Sequence, residues 1–119
     1  MSGANPTSPG AVASAVSNLI VRLINDVAGR GPVRARAYLD GDLVCVVLED
    51  TLTKSERRLV EDGREDLVLA MRRAFQAAIQ EDAIAGVEHL TGRKVKAFMS
   101  DNHLDPDVAV EAFVLEPED

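Results

Sequence analysis

Histidine, cysteine and carboxylate side chains are where chemistry would start, and this sequence offers few arrangements that could carry it. His89 precedes Leu90 near the end of a long helical pattern, where the helix dipole favours a cation. His103 lies in Asp101-Asn102-His103-Leu104-Asp105-Pro106-Asp107, whose alternating oxygen and nitrogen groups resemble a metal loop in outline. The calcium-loop template requires glycine where Pro106 stands and a closing glutamate where Ala112 stands. The stretch therefore reads as a polar hairpin turn. Cys45, the single cysteine, sits inside an apolar run and reads as a small buried hydrophobe rather than a reactive thiol. Glu61-Asp62, Glu65-Asp66 and Glu81-Asp82 are adjacent pairs, which diverge around a helix instead of converging. There is no phosphate loop, dinucleotide fingerprint, zinc-protease motif or nucleophile elbow. The expectation is a non-enzymatic protein with no catalytic residues, no metal and no cofactor.

The basic residues are more suggestive. The chain carries a net charge of −7, which disfavours nucleic acid as a partner. Yet Arg30, Arg34 and Arg36 form one group, and Arg93, Lys94 and Lys96 another. Val33, Ala35, Ala37 and Leu39 alternate with Arg34, Arg36 and Tyr38, as Val95, Ala97 and Met99 alternate with Lys94, Lys96 and Phe98. If the aliphatic sets face a core, then Arg34, Arg36, Tyr38, Lys94, Lys96 and Phe98 share the other face of a sheet, with Arg30 nearby. Basic and aromatic residues interleaved this way suit single-stranded nucleic acid or a protein partner. The acidic total favours the protein. A rival reading uses Arg30, Arg34, Arg36 and His103 as a small-anion site or the site of an unrecognised enzyme.

The elements that would position these residues are legible from periodicity. In 119 residues, 46% apolar and 28% charged, there is room for one domain. Residues 1–13 show no apolar period and read as a disordered tail, residues 14–115 as the domain, and 116–119 as an acidic tail. Val16, Leu19, Ile20, Leu23, Ile24 and Val27 follow helical spacing, ended by Gly29 and by Gly31-Pro32. Gly29-Arg30-Gly31-Pro32 has two glycines but follows no strand, so it reads as a structural turn rather than a phosphate cradle. A hairpin follows, Val33–Leu39 and Leu43–Leu48, turning at Asp40-Gly41. Thr53-Lys54-Ser55-Glu56 is a capping box that opens a short helix, in which hydroxyl and carboxylate each satisfy a free backbone amide. A long helix over about 65–90, stopped by Gly92, leads to a third strand at Val95–Met99, a polar turn at 101–107 and a fourth strand at Val108–Leu115.

The order α-β-β-α-α-β-β predicts an α+β fold with one antiparallel four-stranded sheet made of two hairpins. Leu43–Leu48 is apolar on both faces, and a 26-residue helix would be about 39 Å long in a small domain. Both features predict a homodimer. No apolar run approaches the roughly 20 residues that cross a bilayer, and the N-terminus lacks a signal-peptide pattern, so a cytoplasmic protein without membrane insertion is expected.

Four stretches together resemble the MpsC-like family, whose name denotes a component of a sodium-translocating, membrane-potential-generating system. They are Gly29-Arg30-Gly31-Pro32, Leu52-Thr53-Lys54-Ser55-Glu56-Arg57, Thr91-Gly92-Arg93-Lys94-Val95 and Phe113-Val114-Leu115, spread over residues 14–115. The resemblance implies a small bacterial accessory protein with a protein partner at a membrane transport complex. It brings no catalytic residue.

The turn reading of His103 makes a simple prediction. Thermal unfolding should be the same with a chelator as with added calcium or zinc, because no metal is linked to folding. Strong stabilisation by either ion, abolished in His103→Ala, would reverse that reading.

Overall fold

The computed structural model describes residues 8–30 and 34–118. Its elements run α1 (Pro9–Ala28), β1 (Arg34–Asp40), β2 (Leu43–Glu49), α2 (Lys54–Glu61), α3 (Glu65–Thr91), β3 (Val95–His103) and β4 (Val108–Leu115). All the strands pair antiparallel in the order β1-β2-β4-β3, so the two expected hairpins join through their second strands. This is the α+β arrangement read from the sequence.

The first helix starts earlier than expected. Within the tail expected over residues 1–13, α1 begins at Pro9 and Val12 is buried. The cause is local: Ser8 accepts a hydrogen bond from the Ala11 amide at 3.1 Å, and Pro9 takes the first-turn position where a missing N–H costs nothing. Residues 1–7 lie outside the described residues, as do Gly31, Pro32, Val33 and Asp119. The expected Gly31-Pro32 turn therefore falls where nothing is described. Gly29 closes α1 in the left-handed region, φ 74°, and its amide donates to the Asn25 carbonyl at 2.9 Å. At 20 residues, α1 is by length and composition apolar enough to cross a membrane, contrary to the sequence reading. In the fold its apolar stripe is occupied by the core: Val16 and Ile20 are fully buried, and Leu23 and Ile24 pack alongside.

The core lies between α1, α3 and one face of the sheet. Val44, Val46 and Leu48 from β2 meet Phe113 and Leu115 from β4, covered by Val16, Ile20, Ala83 and Val87. Gly86 allows α1 and α3 to approach closely, since a Cβ there would stand 2.4 Å from a Leu19 methyl carbon. The first hairpin turns at Gly41-Asp42 rather than Asp40-Gly41, because Asp40 still pairs with Leu43. Gly41 alone carries positive φ, at 58°, the pattern of a type II′ turn.

The largest departure is in β3. It continues to His103, four residues past the expected end, so only Leu104–Asp107 form the turn. It also contains a bulge: Val95 pairs with Leu115 and Ala97 with Val114, leaving Lys96 as an extra residue. One extra residue reverses the facing of everything after it. Phe98 thus points into the core, its ring 4.9 Å from that of Phe113, and Met99 points outward, 54% exposed. The expected placement of Phe98 beside Lys94 and Lys96 on the outer face is overturned.

The capping box of α2 is formed in full. Thr53 Oγ1 accepts from the Glu56 amide at 3.1 Å, and Glu56 Oε1 accepts from the Thr53 amide at 2.8 Å. Thr53→Ala should cost about 1 kcal/mol, read as a lower urea midpoint at unchanged slope. An unshifted midpoint would mean that the cap contributes nothing.

Candidate functional site

The two faces of the sheet offer two different surfaces. Among the described residues, no helix covers the outer face. Its positions follow from the strand register: Tyr38, Cys45, Ala112 and Met99 form one row, and Arg36, Val47, Val110 and Asp101 the next. Leu43 and Val114 precede these rows, and Arg34, Glu49, Val108 and His103 follow them. The centre is apolar and the rim charged. Tyr38, Leu43 and Met99 are among the most exposed large apolar side chains. Cys45, expected to be buried, is a half-buried member of this face.

The inner face, under the helices, holds what the sequence did not reveal. Arg72, on α3, is buried and fully engaged. Its Nε and Nη2 donate to Glu56 at 3.1 and 2.8 Å, while Nη1 and Nη2 donate to the hydroxyl and carbonyl of Thr51, both at 2.9 Å. Thr51 Oγ1 in turn donates to Asp107 at 2.9 Å, and the other oxygen of Asp107 accepts from the Leu52 amide at 2.8 Å. Glu56 is therefore both the capping-box carboxylate and the counter-ion of Arg72. Arg72 lay in the helical pattern between Val68 and Phe75, where a lone arginine gives no sign of facing inward.

Beside this network is a cavity of about 150 Å³, bounded by α1, α3, the loop after β2 and the inner sheet face. Apolar side chains make most of its wall. Glu111 of β4 stands on that wall at a position flanked by Ala109 and Phe113, and is 2% exposed. Its cross-strand neighbour Ser100 donates a hydrogen bond to Oε2, whereas no described residue donates to Oε1. Burial raises the Glu111 pKa from the ordinary 4.5 to about 7, against the opposing effect of the Ser100 hydroxyl. The alternation of β4 places position 111 inward, so a charged residue at a core position was the available signal.

The residues singled out from the sequence are dispersed. Arg34, Arg36 and Tyr38 do share the outer face, at its β1 edge. Arg30 is instead at the end of α1, donating to the carbonyls of Leu52 and Asp50 and lining the inner cavity. Lys94 precedes β3, Lys96 is the bulge residue and Phe98 is in the core. His103 is exposed, with Nδ1 2.7 Å from the Pro106 carbonyl oxygen. The anion-site set Arg30, Arg34, Arg36 and His103 is thus spread over both faces, on β1, on β3 and in the segment after α1.

Comparison with known proteins gives a consistent setting. The family model described as "Na+-translocating membrane potential-generating system (MpsC)" matches residues 8–117. The chain is 26% identical over 102 residues to "Uncharacterized protein YrhF" of Bacillus subtilis (strain 168), covering 84% of each chain. No solved structure matches it.

The buried carboxyl has a consequence for stability. Because the folded-state pKa of Glu111 lies above its ordinary value, the folded protein holds this proton more tightly than the unfolded chain. Stability therefore falls as pH rises from about 4.5 to about 7. The cost at pH 8 is about 3 kcal/mol. Glu111→Gln, which cannot ionise, should lose that part of the pH dependence and gain stability relative to wild type at pH 8. Urea unfolding from pH 4 to 8 measures it, and identical slopes for both proteins would contradict the assignment.

Proposed function

The chain belongs to the MpsC family, and from that premise we propose that it is a non-enzymatic accessory protein that acts as a homodimer through the open face of its sheet, beside a Na+-translocating membrane complex. One observation carries this reading. An antiparallel sheet covered on one side normally alternates apolar inward and polar outward. Here the outward positions of the two central strands are Leu43, Cys45 and Val47 on β2, with Glu49 only at its end, and Val108, Val110, Ala112 and Val114 on β4. That surface is built to be covered. The non-enzymatic part rests on the dispersal of Arg30, Arg34, Arg36 and His103, and the accessory part on the description of the family.

A second copy matches the face in charge as well as apolarity. With the twofold axis along the strands, β1 of one copy lies over β3 of the other. Arg36, Val47, Val110 and Asp101 share one row, so Arg36 of each copy meets Asp101 of its mate at both rims while Val47 and Val110 pack between them. Sheets stack about 10 Å apart, within reach of these two side chains together. Cytoplasmic location belongs to the same proposal.

Sedimentation at tens of micromolar should give about twice 12.8 kDa. Arg36→Glu and Asp101→Lys should each weaken the dimer, and the two together should restore it, because the swap rebuilds the opposite-charge pairs. A stable wild-type monomer at that concentration ends the dimer reading. A wild-type dimer insensitive to both reversals moves the interface off this face. For the accessory role, gentle fractionation of native cells should recover the protein with membrane subunits of the complex; recovery wholly apart from membranes counts against it.

A further inference from the structure

We propose that the cavity between α1, α3 and the inner face of the sheet is a binding site for a small apolar amine, whose ammonium group donates to Oε1 of Glu111. This goes beyond the interaction reading and is independent of it, since the cavity opens on the other side of the sheet from the proposed interface.

Size and lining come first. A cavity of about 150 Å³ matches in volume the kind that takes up a benzene-sized molecule in a protein core. Ile24, Leu48, Met71, Phe75 and Ile79 give it apolar walls from α1, β2 and α3, and half-exposed Val27 stands at its edge. Such walls favour a compact hydrocarbon body.

The polar groups then set the chemistry of the head group. Four charged residues line the cavity: Arg30, Glu56, Arg72 and Glu111. Arg72 and Glu56 neutralise each other at 2.8 Å, and Arg72 is further committed to Thr51. Arg30 is held by two backbone carbonyls and lies 3.8 Å from Asp50. Among the described residues, Glu111 alone of these four has no counter-charge. Ser100 satisfies one of its oxygens, and among the described residues nothing donates to the other. A carboxylate oxygen only accepts hydrogen bonds when ionised, so the missing piece is a donor. Desolvation is what burdens Glu111, and a bound cation offsets that burden more than a neutral donor does. Gln76 and Asn102, on the same lining, offer amide oxygens for a second N–H. A carboxylate or phosphate ligand meets the opposite situation: like charge at Glu111 and arginines already engaged.

Benzylamine is a suitable probe, with benzoate and benzyl alcohol as partners of similar size that carry a negative or a neutral head. Titration of the full chain by calorimetry and by nuclear magnetic resonance at pH 8 should show saturable benzylamine binding, with Kd of about 1 mM or tighter. Shifted resonances should map to the cavity, Tm should rise with benzylamine concentration, and benzyl alcohol should bind more weakly and benzoate not at all. Glu111→Gln, which keeps the shape and removes the charge, should weaken benzylamine at least tenfold while leaving benzyl alcohol within a few-fold. If Glu111→Gln does not fold, Ala109→Leu fills the cavity beside the carboxylate and should abolish binding. Absence of saturable benzylamine binding to wild type, equal binding of benzoate, or unchanged affinity in Glu111→Gln would each overturn the proposal. A wild-type monomer that binds benzylamine would remove the dimer while leaving this site standing.

Discussion

The buried guanidinium of Arg72 is the interaction on which the arrangement of the other parts depends. It reaches from α3 to the carboxylate that caps α2 and to both oxygens of Thr51, just past the end of β2. Thr51 continues the chain of contacts to Asp107, at the turn between β3 and β4. Four separate segments are thereby held at one point. A buried charge is costly unless it is paired and hydrogen-bonded, and here every polar partner is itself tied down. Removing one member would leave an opposite charge stranded, which is why such a network enforces a single geometry more than it adds net stability. Beyond it the N-terminal part of α3 is fixed over the sheet.

That fixing makes the inner cavity. The roof is held at the Arg72 end by hydrogen bonds and at the other end by the close approach of α1 to Gly86. Between these two anchors the wall of β4 changes from Phe113 to Glu111 to Ala109, from a large ring to a carboxyl to a methyl group. The small residue leaves space, and the carboxyl adds a buried oxygen that has no partner among the described residues. A core position occupied by glutamate is destabilising once it ionises, and among the described residues a hydrogen-bond donor reaches one of its oxygens only.

The sheet thus separates two kinds of surface. Helices cover the side that carries the cavity, and the other side is left as an apolar centre with arginines at one edge and an aspartate at the other. The chain belongs to the MpsC family, whose description names a Na+-translocating membrane potential-generating system. The bulge at Lys96 decides part of that surface. It turns Met99 outward and Phe98 inward, so the outer face is less aromatic and more aliphatic than simple alternation would make it.

The sequence by itself determined the elements and their order, because local signals are enough for that. Helical spacing from Val16 to Val27, the Thr53–Glu56 box, Gly92 and the paired strand patterns each act within a few residues, and the fold keeps all of them. The family was legible too, in short stretches of fixed order. Where local reading missed, at Pro9, Gly41-Asp42 and the end of β3, the shifts were of a few residues. Facing was different. The side to which Phe98 and Met99 point depends on one extra residue in a cross-strand ladder, which alternation within β3 cannot reveal. The pairing of Arg72 with Glu56 spans 16 residues, and that of Thr51 with Asp107 spans 56. Glu111 becomes a buried carboxyl because α1 and α3 cover the inner face of the sheet. Burial and charge partnership are properties of groups brought together from distant parts of the chain, and only the tertiary structure decides which groups those are.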